Sequence, residues 1–306
     1  MWDYDSYIGK AKLYFTRAAE HPRVDDDEMP LWLLLGLEFL LGAPLAKISP
    51  LLLADVEKAG GASIMAAAGY PSSAAPRTVP TSTVVSRLEI AIPDFTPDLK
   101  KEALGLVGLR NEELHTGNSP LSVDAEQWLP NFTRVLEVVC AHLGRDPADL
   151  IDQEIIDQGR KLVASQDQKL ENEVRKRINE AKAFFERLKP DEISGRRTRG
   201  NETQRVLIDT FPEATAFQVV ACPACGDPGL ARLDAVRTTR ERIEDDEIHQ
   251  EVVYIAGGFT CTTCELALSG TPEIRAAGMQ QQYIRRFHEE ARDRYLDAYE
   301  PDYGND

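Results

Sequence analysis

Four of the chain's five cysteines fall in two CxxC pairs, "CPAC" (Cys222, Cys225) and "CTTC" (Cys261, Cys264), with 35 residues between the pairs. Each CxxC lets two thiolates reach one ion from a tight turn, and two such turns complete a tetrahedral site. Gly226, directly after the first pair, suits a knuckle that needs positive φ. The flanking runs "ATAFQVVAC", "LARLDAVRT", "QEVVYIAGGFTC" and "ELALSG" alternate as short strands do. Residues 203–275 are therefore expected to form a zinc ribbon with an extended hairpin, its tip at "RIEDDEIH". The competing reading is two unrelated reduced pairs or redox dithiols. A thioredoxin-like CxxC opens a helix after a strand, and neither pair does so clearly. Four sulfurs leave no open position for catalysis, so the expected role of the Zn2+ is structural. Four free thiols also suit a reducing, cytoplasmic setting better than disulfides do. Cys140 stands alone in an apolar helix and is expected in the core. His249, near the hairpin tip, is expected to face solvent.

The 306 residues suffice for two domains, each with a core of ordinary size. A formal net charge of −16 argues against broad nonspecific binding to nucleic acid or anionic membrane, though a local basic pocket for RNA stays possible. The N-terminus lacks a basic segment followed by an apolar core, so no signal peptide is expected. The most apolar stretch, "PLWLLLGLEFLLGAPLAKISPLLL", is interrupted by Glu38, Pro44, Lys47 and Pro50. It reads as a buried helix pair rather than a membrane span. A soluble, cytoplasmic chain without membrane contact is expected.

Residues 1–148 read as an all-helical bundle. Helices are expected over 4–20, 30–42, 49–58, 81–90, 97–113 and 123–143, with a Pro/Ser-rich loop at "GYPSSAAPRTVPTST". Residues 149–202 read as a long charged helix followed by a basic hinge. In the helix Leu170, Val174, Ile178, Ala181, Phe185 and Leu188 recur at spacings of three and four, a single apolar seam for a second copy or a neighbouring domain. Pro190 should end that helix, and "SGRRTRGN" should be the hinge. Residues 276–306 are expected to form a C-terminal amphipathic helix, carrying Ile284, Phe287, Ala291, Tyr295 and Leu296, and a frayed tail.

One short stretch carries chemistry of its own. "LRNEELHTG" places Arg110, Asn111 and His115 near a helix end inside the bundle. Arg110 offers a permanent charge in a planar fork that matches phosphate oxygens. His115 can take or give a proton near neutral pH. Together they meet the needs of metal-free RNA cleavage: a base for the ribose 2′-hydroxyl and a cation for charge building on phosphate. Positions five apart on a straight helix differ by about 140°, so the two side chains do not share a face. A helix that ends at His115, or a second copy across a twofold axis, would resolve this. The plain alternative is a polar helix end whose charges complement the dipole. Glu38 is the one carboxylate within the apolar helix. It either pairs with Arg110 or lies on a solvent stripe.

The segment resembles the Arg-x4–6-His motif of the HEPN superfamily in its Arg-Asn-x-x-x-His form, here Arg110, Asn111 and His115. The resemblance covers about residues 1–148, since "LWLLLGLEFLLGAPLAKISPLLLAD" looks like the second and third helices of such bundles. It implies a metal-independent RNase working as a homodimer, with Arg110 and His115 in the chemistry and Asn111 orienting them. Many members act in toxin–antitoxin or antiphage systems, so a protein partner or antitoxin is a further implication. The expected fold is thus mainly α: a HEPN-like bundle, a long linking helix, a small β-rich zinc ribbon and a C-terminal helix. The alternative function is a noncatalytic binding or scaffold protein built from the same parts.

Overall fold

A computed structural model describes residues 2–21, 28–56, 61–71, 75–210 and 215–291. The fold is mainly α with one antiparallel β region. It divides into two compact units, Met1–Gln166 and Asp167–Asp306.

In the first unit, α1 (Tyr4–Ala19) opens on an Asp3 cap, whose carboxylate accepts from the Ser6 amide at 2.9 Å. It buries one stripe, Ile8, Ala11, Phe15 and Ala18, against α2 (Glu28–Ile48). Thirteen of the 21 residues of α2 are buried, which makes it the central helix, packed on α1, α4, α5 and α6. Glycine at two positions of α2 lets α1 approach. A Cβ on Gly36 would meet the Phe15 ring at 2.5 Å, and one on Gly42 would meet the Tyr7 ring at 2.3 Å. The expected helix pair is one helix here. Pro44 lies inside it, forgoing one backbone hydrogen bond, and a 3-10 turn (Pro50–Leu53) follows. As a single helix, Glu28–Ile48 is long and apolar enough to cross a membrane by length and composition, but 61% of that window is buried inside the protein.

The remaining bundle helices are α3 (Ala62–Ala67), α4 (Thr81–Ala91), α5 (Pro97–His115) and α6 (Leu129–Leu143). Cys140 on α6 is fully buried, and burial pushes its thiol up to about 12. The acidic run at 24–27 and the end of the expected 49–58 helix lie outside the described residues.

The helix α7 (Gln153–Arg187) begins in the first unit and ends in the second. Its seam is not free for a second copy. Leu170, Val174, Ile178, Ala181 and Phe185 join the core of the β region. Pro190 does not only stop α7 but also opens α8 (Pro190–Thr210), where the Lys189 amide donates to the Glu192 carboxylate at 2.9 Å. The expected hinge at 194–201 is therefore helical. From it Arg196 and Arg197 reach Glu265 and Asp227, beside the two cysteine pairs.

The sheet consists of β1 (Thr215–Ala221), β2 (Pro228–Thr238), β3 (Arg242–Glu244), β4 (Glu247–Thr260), β5 (Ala267–Ser269) and β6 (Gln282–Glu290), with a short helix α9 (Gly270–Ala276) between the last two. Its order is β1-β2-β4-β3, with β5 and β6 also on β4. The hairpin tip falls at Asp245 and Asp246, both with positive φ, where the sequence placed it. The expected C-terminal helix is corrected over 282–290: this segment is β6, paired with β4 from Gln282↔Ile255 to Glu290↔Glu247. The three-and-four spacing of its apolar residues fits a helix. The open edge of β4, however, offers a row of backbone donors and acceptors, and pairing satisfies them. Tyr295 and Leu296 lie outside the described residues.

Candidate functional site

The four paired cysteines come together. Cys222 Sγ lies 3.5 Å from Cys264 Sγ, and Cys225 Sγ 3.6 Å from Cys261 Sγ, with all four sulfurs within 4.8 Å of one another. A tetrahedron of thiolates around an ion at about 2.3 Å has edges of about 3.8 Å, so the set is compatible with a zinc-binding site. Both knuckles are built alike. The Cys222 amide donates to Asp227 O and the Gly226 amide to Cys222 O, both at 2.9 Å. The Cys261 amide donates to Leu266 O and the Glu265 amide to Cys261 O, also at 2.9 Å. The turn residue after each pair is left-handed, Gly226 at φ 78° and Glu265 at φ 62°.

Hydrogen bonds from the Cys222 and Cys264 thiols pull the Cys261 thiol well below its ordinary value. Burial pushes Cys225 up to about 12, and Cys264 is raised first by its hydrogen bonds with Cys222 and Cys261. A cation among four sulfurs this close, three of them buried, would favour their thiolate forms.

The basic run on α8 braces this centre. Arg197 grips Asp227 in a two-point fork, at 2.8 Å from Nε and 2.6 Å from Nη2. Arg196 reaches Glu265 at 2.7 Å. Asp227 and Glu265 each close one knuckle, so α8 ties both. The Asp227 carboxylate also raises the pKa of the Arg197 guanidinium. The sequence showed the arginines but not their targets, because the pairing spans 30 residues in one case and 69 in the other.

The second candidate is the end of α5. Thr96 caps its start, accepting from the Leu99 amide at 3.2 Å, and Pro97 occupies its first turn. Its last residue is His115. Thr116 turns away into extended backbone (φ −125°) while its amide and hydroxyl both donate to Glu112 O, at 3.0 and 2.7 Å. The two carboxylates of the segment serve this turn. Glu112 accepts from the Asn118 side-chain amide at 2.8 Å, and Glu113 from the Leu121 amide at 3.3 Å.

Arg110 points inward. Its Nη2 lies 2.7 Å from Glu38 Oε2, and the guanidinium side chain is 12% exposed. Thr81, the first residue of α4, donates to Glu38 Oε1 at 2.5 Å and accepts from Arg110 at 3.4 Å. Glu38 is thus Arg110's partner, not a solvent-stripe residue. Its charge, after burial itself, raises the Tyr7 hydroxyl's pKa. Asn111 and His115 are exposed, and among the described residues neither side chain has a hydrogen-bonding or ionic partner. One chain therefore sets an anchored cation and an unengaged imidazole on different faces of one helix end. Thr81 carried no sequence signal, since it lies 29 residues from Arg110.

Compared with known proteins, the chain matches no family model, no curated protein and no solved structure.

Proposed function

We propose that the helical unit is a metal-independent RNA endonuclease of the HEPN type, active as a homodimer, and that the β unit is a structural zinc ribbon serving substrate or partner recognition. The observation that carries the proposal is the division of labour at the end of α5. Arg110 is held in one orientation by Glu38 and Thr81, while Asn111 and His115 are exposed and uncommitted. A positioned cation and a free imidazole are the minimum for 2′-hydroxyl attack. His115 takes the proton from the 2′-hydroxyl, and that oxygen bonds to the adjacent phosphorus. The bond to the 5′-oxygen breaks, and this oxygen takes a proton from the opposing copy of the site. The products are a 2′,3′-cyclic phosphate and a 5′-hydroxyl. Arg110 faces the charge that builds on the phosphate oxygens, and Asn111 orients the pair. A twofold arrangement brings together what one helix keeps apart. Zn2+ is held by Cys222, Cys225, Cys261 and Cys264 and takes no part in the cleavage. A toxin or antiphage role, with a protein partner or antitoxin in the cytoplasm, is what the family resemblance adds.

One observation favours a second reading, a noncatalytic binding or scaffold protein. Arg110 is already neutralised by Glu38 at 2.7 Å before any phosphate arrives. Incubating the purified protein with total RNA and tRNA, beside His115→Ala and Arg110→Ala, separates the two. Cleavage by the wild type alone, with unchanged circular dichroism in both variants, supports the endonuclease. Intact RNA in all samples, or cleavage that both variants retain, supports the scaffold.

A further inference from the structure

The far end of β4 from the cysteines carries a second group of ligand-type side chains. His249 on β4 stands directly opposite His288 on β6, with Nδ1 atoms 2.7 Å apart and ring centroids 4.7 Å apart. Glu247 lies two residues before His249, hence on the same face of the strand, with Oε2 3.8 Å from His249 Nε2. One ligand atom from each of the three lies within 4.8 Å of the others.

A second observation points the same way. Glu247 is opposite Glu244 on one side and Glu290 on the other, so three carboxylates form one row across three strands. Like charges directly opposite destabilise a sheet, and a cation among them removes that penalty. The imidazole row lies beside this carboxylate row. The depression here has a volume of about 320 Å³ and is lined by His249, His288, Glu244, Glu251 and three arginines. One of these, Arg286, is engaged by Glu251 at 2.9 Å, and Arg242 lies across from His249.

We propose that His249, His288 and Glu247 form a second metal site, for a borderline divalent transition ion such as Ni2+ or Zn2+. Two imidazoles and a carboxylate are the nitrogen–oxygen set that such ions prefer over Mg2+ or Ca2+. Ligands about 2.0–2.2 Å from a tetrahedral ion stand about 3.3–3.6 Å apart, within reach of small rotations of these side chains, two exposed and one half-buried. Three protein ligands leave one position for water or an incoming ligand, unlike the closed set of four cysteines. The site is exposed and binds reversibly. It lies about 40 Å from the cysteines, at about 3.3 Å per residue along β4, so the two ions are independent.

Equilibrium dialysis of the full chain against micromolar Ni2+ tests this, with zinc and nickel counted by elemental analysis. The expected result is about one nickel per chain in addition to the zinc already present. His249→Gln and His288→Gln should each lose the nickel and keep the zinc. Glu247→Gln should weaken nickel binding by about tenfold or more. The melting temperature of the wild type should rise with added nickel, and that of the histidine variants should not. No nickel on the wild type, or nickel retained by a His249→Gln/His288→Gln double variant, overturns the proposal. Neither result bears on RNA cleavage.

Discussion

Single residues set the limits of the two knuckles. Gly226 adopts φ 78°, and nothing lies within 4 Å of a Cβ added there, so its role is backbone conformation alone. Gly226→Ala should cost about 1–2 kcal/mol, read as a lower melting temperature of the β unit and faster loss of zinc to a chelator. The sequence disclosed this glycine because it follows a CxxC pair. It did not disclose Glu265, which adopts the equivalent φ of 62° without glycine's freedom. A different kind of residue contact predicts a pH effect. Burial works to raise the Glu273 carboxyl, but Arg177 at 2.7 Å and the Ser269 amide outweigh it and hold the group below its ordinary value. The folded value is lower than the unfolded one. The pair's contribution is therefore complete above about pH 4.3 and is lost as pH falls through the lower folded value. Glu273→Gln should lower stability at neutral pH and flatten the acid limb of an unfolding curve. An unchanged acid limb would remove the pair from the account.

Elements were legible where local pattern and packing agree. The burial of α2 follows from its apolar content, although two helices were expected where one runs, and α5 starts at Pro97 as expected and ends at His115, two residues beyond the expected 97–113. The seam on α7 was visible as a seam, and only the structure shows that the sheet covers it. Two segments were misread because their conformation is set by distant partners. Residues 282–290 pair with β4, and the arginines at 196 and 197 meet Glu265 and Asp227. Local spacing holds no information on either. The bracing by α8 has a measurable consequence. Arg197→Ala should leave the bundle untouched but raise the rate of zinc release, with about 10–100-fold weaker metal binding. Release at the wild-type rate would mean that the fork is only a surface ion pair.

At the scale of the whole chain, each unit has its own core, one of helices and one of strands with part of α7. If the four cysteines hold zinc, the strands nearest them gain stability from that ion, whereas the bundle has a core without any such cluster among the described residues. Cys222→Ser should therefore abolish bound zinc and the strand signal while the helical transition in a melting curve persists. A single shared transition lost in the variant would contradict independent units. For the bundle we propose metal-free RNA cleavage by 2′-hydroxyl attack at Arg110 and His115. The direct measurement is end-group analysis of RNA incubated with the zinc-loaded protein in the presence of a magnesium chelator. The expected fragments carry 2′,3′-cyclic phosphates and 5′-hydroxyls and are absent with His115→Ala. Fragments with 5′-phosphates that form only on addition of divalent metal would contradict it.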